Sequence, residues 1–219
     1  MRPSAFLFDM DGTLIDSEVV WGIAILRWLR SFGEDVNQKD LMDLISGRSW
    51  ADNHKLLHSH FAKLPNTTLA EDSKELRVYF NELVSDPVQL IIGSTVEFLK
   101  RVSAIAPCAI VSGSPRKDVL EAVQYCGIAS NIKLAMGGED YLLGKPAPDG
   151  YLKAAKLLGV KPEECVVIED SVPGVASGVA AGMKVIALNR HNEPLEKFKG
   201  CTWCVADLSE IDIDAVFAK

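Results

Sequence analysis

The sequence predicts an α/β fold: a parallel sheet covered by helices on both faces, with an all-helical segment inserted after the first strand. Three observations carry this. An apolar run, Phe6-Leu7-Phe8, leads straight into Asp9-Met10-Asp11-Gly12-Thr13-Leu14. From Glu18 to Asp86 the pattern is helical, without a convincing strand. After Pro87, short apolar runs alternate with helical stretches, the rhythm of strand–helix–strand units in a parallel sheet.

In chain order, Val19 to Phe32 is apolar nearly all round and suits a helix buried in a small bundle. Asp16-Ser17 offers N-cap chemistry before it and Gly33 ends it. Pro65-Asn66-Thr67-Thr68 separates two further helices. In the second of these, Leu76, Tyr79, Phe80, Leu83 and Val84 fall on one face. The later strands are expected at Cys108-Val111, Lys133-Met136, Cys165-Ile168, Lys184-Leu188 and Trp203-Val205. Helices are expected near Ser94-Ser103, Pro115-Cys126, Pro148-Leu158 and Val172-Ala181. The division that follows is residues 1–16 and 88–219 as a core domain and 17–87 as a helical insertion.

With 219 residues, 48% of them hydrophobic and 24% charged, the chain can fill a sizeable core. A net charge of -7 argues against a general nucleic-acid surface, and an anionic substrate would need local cations. The first apolar run is interrupted by Asp9 and Asp11, and Val19 to Leu26 is too short to cross a bilayer, so a soluble, cytoplasmic protein is expected. Five cysteines, an odd number set in apolar segments, read as buried thiols of a reducing compartment. Cys201-Thr202-Trp203-Cys204 has no second pair to complete a zinc site and is read as structural.

Polar residues recur where the expected strands stop. Asp9 and Asp11 sit at the C-terminal edge of the first, where open α/β sheets bind ligands. Two carboxylates so close repel each other unless one holds a proton or a cation lies between them, which invites Mg²⁺. Ser112-Gly113-Ser114 follows the second strand, with a helix N-terminus beside it suited to a phosphoryl oxygen. Gly144-Lys145-Pro146-Ala147-Pro148-Asp149 fixes a lysine in a proline-limited loop. Glu169-Asp170-Ser171 supplies a second acidic pair able to complete a metal site.

Together these four sites resemble the haloacid-dehalogenase-like hydrolase superfamily, in the branch with a helical cap inserted after the first motif. The resemblance spans essentially the whole chain and is similar in pattern to the beta-phosphoglucomutase and 2-deoxyglucose-6-phosphate phosphatase group. It implies a Rossmann-like core and makes the insertion an all-helical cap domain. It also implies Asp9 as a nucleophile that forms an aspartyl-phosphate, and Asp11 as acid and then base. Ser112 and Lys145 would hold phosphoryl oxygens. Mg²⁺ would be held by Asp9, the Asp11 backbone carbonyl and Asp170, with Glu169 as a direct or indirect partner. Thr13, Gly113 and Ser114 are expected in supporting contacts. An acid at Asp11 points to phosphate-ester chemistry, because halide-removing members lack one there.

Substrate choice is expected from the cap, with Trp21, Arg48, Trp50, Arg116 and Lys117 as candidates. The implied activity is a Mg²⁺-dependent phosphatase acting on a small phosphorylated metabolite, a sugar or sugar-alcohol phosphate. The alternative is a beta-phosphoglucomutase-like phosphomutase. Those mutases carry a histidine where this chain has Trp21, which weakens that alternative. A non-catalytic phosphate-binding protein would show loss of Asp11 or Lys145, and both are present. His54 and His58 have a zinc-competent i, i+4 spacing, but no acidic ligand is evident nearby and they are read as surface histidines. Gly174, Gly178 and Gly182 are read as permitting close helix–sheet packing.

Overall fold

The computed structural model describes residues 3–46 and 48–213. Strand β1 (Ala5–Phe8) is followed by four helices, α1 (Glu18–Ser31), α2 (Gln38–Ile45), α3 (Trp50–His60) and α4 (Leu69–Leu83). The chain then alternates: α5 (Gly93–Ser103), β2 (Cys108–Val111), α6 (Arg116–Tyr125), β3 (Ile132–Met136), α7 (Asp149–Leu158), β4 (Cys165–Glu169), α8 (Val172–Ala180), β5 (Lys184–Leu188) and β6 (Trp203–Val205). Each expected strand is present within a residue or two, and the helices agree similarly.

Among the described residues the sheet is six-stranded and parallel, in the order β3-β2-β1-β4-β5-β6. Successive strand residues face opposite sides of a sheet, and each side buries its own cluster. Phe6, Phe8, Ile110, Ile168 and Ile186 pack against Val96, Phe98 and Leu99 of α5 and Val119 of α6. Leu7, Val111, Val167 and Val185 pack against Tyr151 and Ala154 of α7 and Val175 of α8. The chain turns from β1 toward β2 and β3 on one side, then returns to β4 on the other. The C-terminal ends of β1 and β4 therefore flank the point where strand order reverses, which is where such sheets place their ligands.

The helical insertion has a separate core, with Ile25, Trp28, Leu29, Leu41, Leu57 and Leu76 buried together. The wholly buried Trp28 satisfies its one polar atom by donating Nε1–H to Glu75 Oε2 at 2.8 Å. The expected apolar face of α4 is real: Leu76, Phe80 and Val84 are buried, and Tyr79 and Leu83 partly so. Thr68 caps α4 through a reciprocal pair with Glu71. Trp21 and Tyr79 pack against both the sheet cluster and the insertion's own cluster, joining the two.

Two expectations need correction. Ser17 precedes α1 but makes no capping hydrogen bond; its hydroxyl is used in the site described below. The glycine repeat does not serve one purpose. A Cβ at Gly178 would lie 2.8 Å from Val185, so close packing holds there, whereas Gly182 has open space around it and a φ of +73°. Gly182 makes a left-handed turn after α8 and does not permit packing. Among the described residues no helix is long and apolar enough to cross a membrane. All five cysteines are free thiols, and burial pushes Cys108 and Cys165 up to about 12.

Candidate active site

Asp9 continues the β1 ladder, donating its amide to Ile168 O at 3.0 Å, so its side chain leaves the sheet at the switch point. The chain then turns tightly: Met10 O accepts from the amides of Thr13, Leu14 and Ile15. Gly12 makes the turn possible. Its φ is +87°, and a Cβ there would lie 2.0 Å from Asp170 Oδ2. The turn thereby brings the acids after β1 against the acids after β4.

Asp9, Glu169 and Asp170 present carboxylate oxygens within 4.8 Å of one another. One cation sits among them: Lys145 Nζ bonds Asp9 Oδ1 and lies 2.5 Å from Glu169 Oε1. Glu169, wholly buried, is fully engaged. Tyr151 O–H donates to Oε1 at 2.8 Å, and the amide and hydroxyl of Ser171 donate to Oε2. Glu169 thus anchors the lysine. Its position also depends on Gly174, where a Cβ would come within 1.9 Å of the carboxylate.

Three carboxylates around one ammonium leave excess negative charge. Burial, then Glu169 and Asp11, push Asp9 up to about 8 against the pull of Lys145. Burial, then Asp9 and Glu169, push Asp170 up as well. Burial would depress Lys145, but Asp9 and Glu169 outweigh it and hold it well above the usual lysine range. Clustered oxygen donors that resist ionising together at a sheet switch point fit a hard divalent cation such as Mg²⁺, which would let them do so.

Asp11 stands apart from this cluster. Ser17 donates to its Oδ1, while Ser112 at 3.2 Å and Ser114 at 2.7 Å donate to Oδ2. Ser112 Oγ also accepts the Ser114 amide at 2.9 Å, and Tyr141 O–H holds the Ser112 carbonyl at 2.8 Å. The loop after β2 is therefore fixed on both sides, with its hydroxyls aimed at the acid two residues beyond Asp9.

A cavity spans the site and the insertion. The sheet edge contributes Asp9, Asp11, Ser112, Gly113, Ser114, Lys145 and Asp170; the insertion contributes Trp21, Arg48, Trp50, Asn53, Ser73 and Arg77. Trp21 stacks on Phe80 with ring centroids 4.2 Å apart, and the Arg77 guanidinium lies 5.0 Å from the Trp21 ring centroid and 5.5 Å from that of Phe80. Arg48 lines the cavity while its Nε donates to Leu44 O at 3.2 Å. Thr13, expected at the substrate, is buried and donates to Asp170 Oδ1 at 2.9 Å, so it positions that acid. Arg116 turns from the cavity to pair with Asp140 at 3.2 Å, and Lys117 is exposed beside Glu121. Neither is brought to the site.

Sequence reasoning missed Ser17, Tyr151, Arg77 and Asp118. Arg77 and Asp118 form an ion pair between α4 and α6, which joins the insertion to the core beside the cavity. Asp118 reads in sequence as an ordinary first-turn acid favoured by the helix dipole, and nothing local marks its partner.

Two stability predictions arise here. Gly174→Ala drives a methyl into the Glu169 carboxylate and is expected to cost about 1–3 kcal/mol, with a parallel loss of turnover as Lys145 shifts. Chemical denaturation and steady-state kinetics check both. The second concerns pH. Asp9 holds a proton up to about 8 when folded but releases it near 3.8 when unfolded, so between those values the folded state binds more protons. The contribution of Asp9 to stability without metal is therefore greatest at the acid end and falls as pH rises, at up to about 1.4 kcal/mol per pH unit. Melting curves in EDTA from about pH 5 to about pH 8 should show the fall. Asp9→Asn should flatten it, and Mg²⁺ should raise the melting temperature more at the alkaline end.

Comparison with known proteins agrees with this geometry. The haloacid dehalogenase-like hydrolase family model matches residues 3–182. Hexitol phosphatase A of Escherichia coli is 32% identical over 189 residues, covering 86% of this chain and 84% of that protein. The bifunctional riboflavin kinase/FMN phosphatase of Arabidopsis thaliana is 31% identical over 84% of this chain, which spans 48% of that protein's length. The solved beta-phosphoglucomutase of Clostridium difficile superposes with a TM-score of 0.82, over 99% of this chain and 96% of that one, at 20% identity, a likeness of fold. On the matched family model and the acids, serine and lysine at four strand ends, the chain belongs to the haloacid dehalogenase-like hydrolase family and is an enzyme of that family.

Proposed function

We propose that the chain is a Mg²⁺-dependent phosphatase that hydrolyses a sugar or sugar-alcohol phosphate through an aspartyl-phosphate on Asp9. The observation that carries this is the pairing of two acids in different surroundings: Asp9 is bonded to Lys145, and Asp11 is held by three hydroxyls. That division suits a nucleophile and a separate proton carrier. Asp9 and Asp170 would hold Mg²⁺ with the Asp11 main-chain carbonyl, and bound Mg²⁺ would offset the charge of the phosphate and the acids.

In this reading Asp9 attacks phosphorus and the bond to the leaving alkoxide breaks, with Asp11 giving that oxygen its proton. Asp11 then takes a proton from water as the water attacks the aspartyl-phosphate, which releases phosphate and restores Asp9. Lys145 keeps Asp9 oriented and, with Ser112, meets the phosphoryl oxygens as charge builds on them. Residues 17–87 act as the cap that closes over the site and excludes water.

The substrate class rests on the insertion's side of the cavity. Indole faces at Trp21 and Trp50 suit the C–H surfaces of a carbon chain or sugar, while Arg77 and the Oδ1 of Asn53, unpartnered among the described residues, offer groups for hydroxyls. Hexitol phosphatase A supports a polyol phosphate. At the Trp21 position the stacked indole leaves no imidazole to assist a mutase. Phosphate release from hexitol, hexose, FMN and nucleotide monophosphates tests the reading. Polyol or hexose phosphates should exceed nucleotides in kcat/KM by roughly tenfold or more, with all turnover lost in EDTA. Isomerised sugar phosphate without free phosphate would instead show the mutase.

A further inference from the structure

The helical insertion holds a second set of metal-ligand groups, built from elements that contribute nothing to the acids around Asp9. His54 and His58 lie one turn apart on α3, and Asp72 lies in the first turn of α4. Their ring nitrogens and a carboxylate oxygen fall within 4.8 Å of one another. His58 Nε2 is 2.6 Å from Asp72 Oδ2, and His54 Nε2 is 3.1 Å from the same oxygen. The surface reading of these histidines is thus corrected, because the acidic ligand arrives from the next helix.

Asp72 is 1% exposed, and a carboxylate so deep requires compensation. Among the described residues its ion-pair partners are these two imidazoles alone. Thr67 Oγ1 donates to Oδ1 at 2.6 Å and turns Oδ2 toward them. His54 Nε2 is buried without a hydrogen-bond partner, although it faces that oxygen. A tetrahedral ion with bonds of about 2.0–2.1 Å sets its ligand atoms about 3.3 Å apart; His54 Nε2 at 3.1 Å from Asp72 Oδ2 already fits, and the 2.6 Å contact of His58 would open to admit the ion. The two histidine side chains remain 15% and 19% exposed, so the buried ligand atoms lie only a ring's depth below the surface.

We propose that His54, His58 and Asp72 bind a zinc-class divalent ion, with a fourth position open to water, and that the ion pins α3 to α4. The site is structural and lies behind the cavity wall: Trp50 and Asn53 of α3 and Ser73, Leu76 and Arg77 of α4 line the cavity. Fixing the two helices together fixes the surface that meets the substrate.

Co²⁺ titration of the metal-stripped full chain tests this, alongside His54→Gln and Asp170→Asn. His54→Gln keeps the His58–Asp72 contact, so the fold persists while the ligand set drops to two. Asp170→Asn should bind one equivalent with the visible bands of a four-coordinate nitrogen and oxygen site and no thiolate charge-transfer band, and the parent should show the same bands beside any ion taken by Asp9 and Asp170. His54→Gln should lose affinity by more than the roughly 10–100-fold that an outer-shell change costs. With the Asp9 cluster disabled, Zn²⁺ at about 100-fold above its dissociation constant should raise the melting temperature of Asp170→Asn by roughly 5–10 °C, and leave the double variant Asp170→Asn/His54→Gln unmoved. Unchanged binding in His54→Gln, a thiolate band placing the ion at Cys201 and Cys204, or no equivalent in the parent would each overturn the proposal.

Discussion

Asp9→Asn is expected to abolish phosphate release, by about 10⁴-fold or more, while leaving the chain folded. On the proposed reading the loss should be large because the neighbouring acids are engaged elsewhere: Asp11 is bound by Ser17, Ser112 and Ser114, Glu169 by Lys145, Tyr151 and Ser171, and Asp170 by Thr13. Stability should move the other way. Burial and two nearby acids oppose the charge on Asp9, so the amide removes a strained carboxylate. In EDTA at about pH 8 the variant should melt no lower than the parent. Loss of turnover without loss of melting temperature separates a missing nucleophile from a damaged fold.

Lys145→Met is expected to have the largest combined effect. It removes the cation that pairs with Asp9 and Glu169, and leaves Glu169 wholly buried without its ion-pair partner. Breaking a buried pair from one side costs about 3–5 kcal/mol, and turnover should fall with it. The double variant Lys145→Met/Glu169→Gln should recover part of the stability, since it also removes the orphaned charge, but none of the turnover. Urea denaturation of the four proteins in this cycle gives the coupling between the two side chains. Equal instability in the single and double variants would contradict the anchoring role of Glu169.

Much of the fold was legible because its signals are local. Cys108-Ala109-Ile110-Val111 and Lys184-Val185-Ile186-Ala187-Leu188 read as buried strands from composition alone, and both are strands over those residues. Asp9, Asp11, Ser112 and Asp170 share a feature visible in one dimension, polar residues following an apolar run, Lys145 stands in a proline-limited loop after the third strand, and all line one cavity. What escaped depends on elements meeting in space. Arg77 looks like an exposed charge next to Leu76 until α4 is laid against Asp118 of α6. Asp72 looks like favourable acid in a helix's first turn until α3 brings His54 and His58 over it. Thr13 follows the acidic turn and so reads as a ligand contact, yet the turn at Gly12 folds it inward onto Asp170. Ser17 reads as a helix cap, and its hydroxyl is diverted to Asp11 six residues earlier.

The most direct test of the account is a burst measurement on Asp11→Asn with Mg²⁺ and p-nitrophenyl phosphate. A nitrophenolate leaving group needs no proton from Asp11, so Asp9 should still be phosphorylated, whereas attack of water on the product should lack its base. The account predicts one rapid equivalent of nitrophenol per chain, little turnover after it, and a phosphoryl group mapped by mass spectrometry to the peptide carrying Asp9. Steady release without a burst, or phosphorylation at another residue, would contradict the assignment of Asp9 as nucleophile and Asp11 as acid and base.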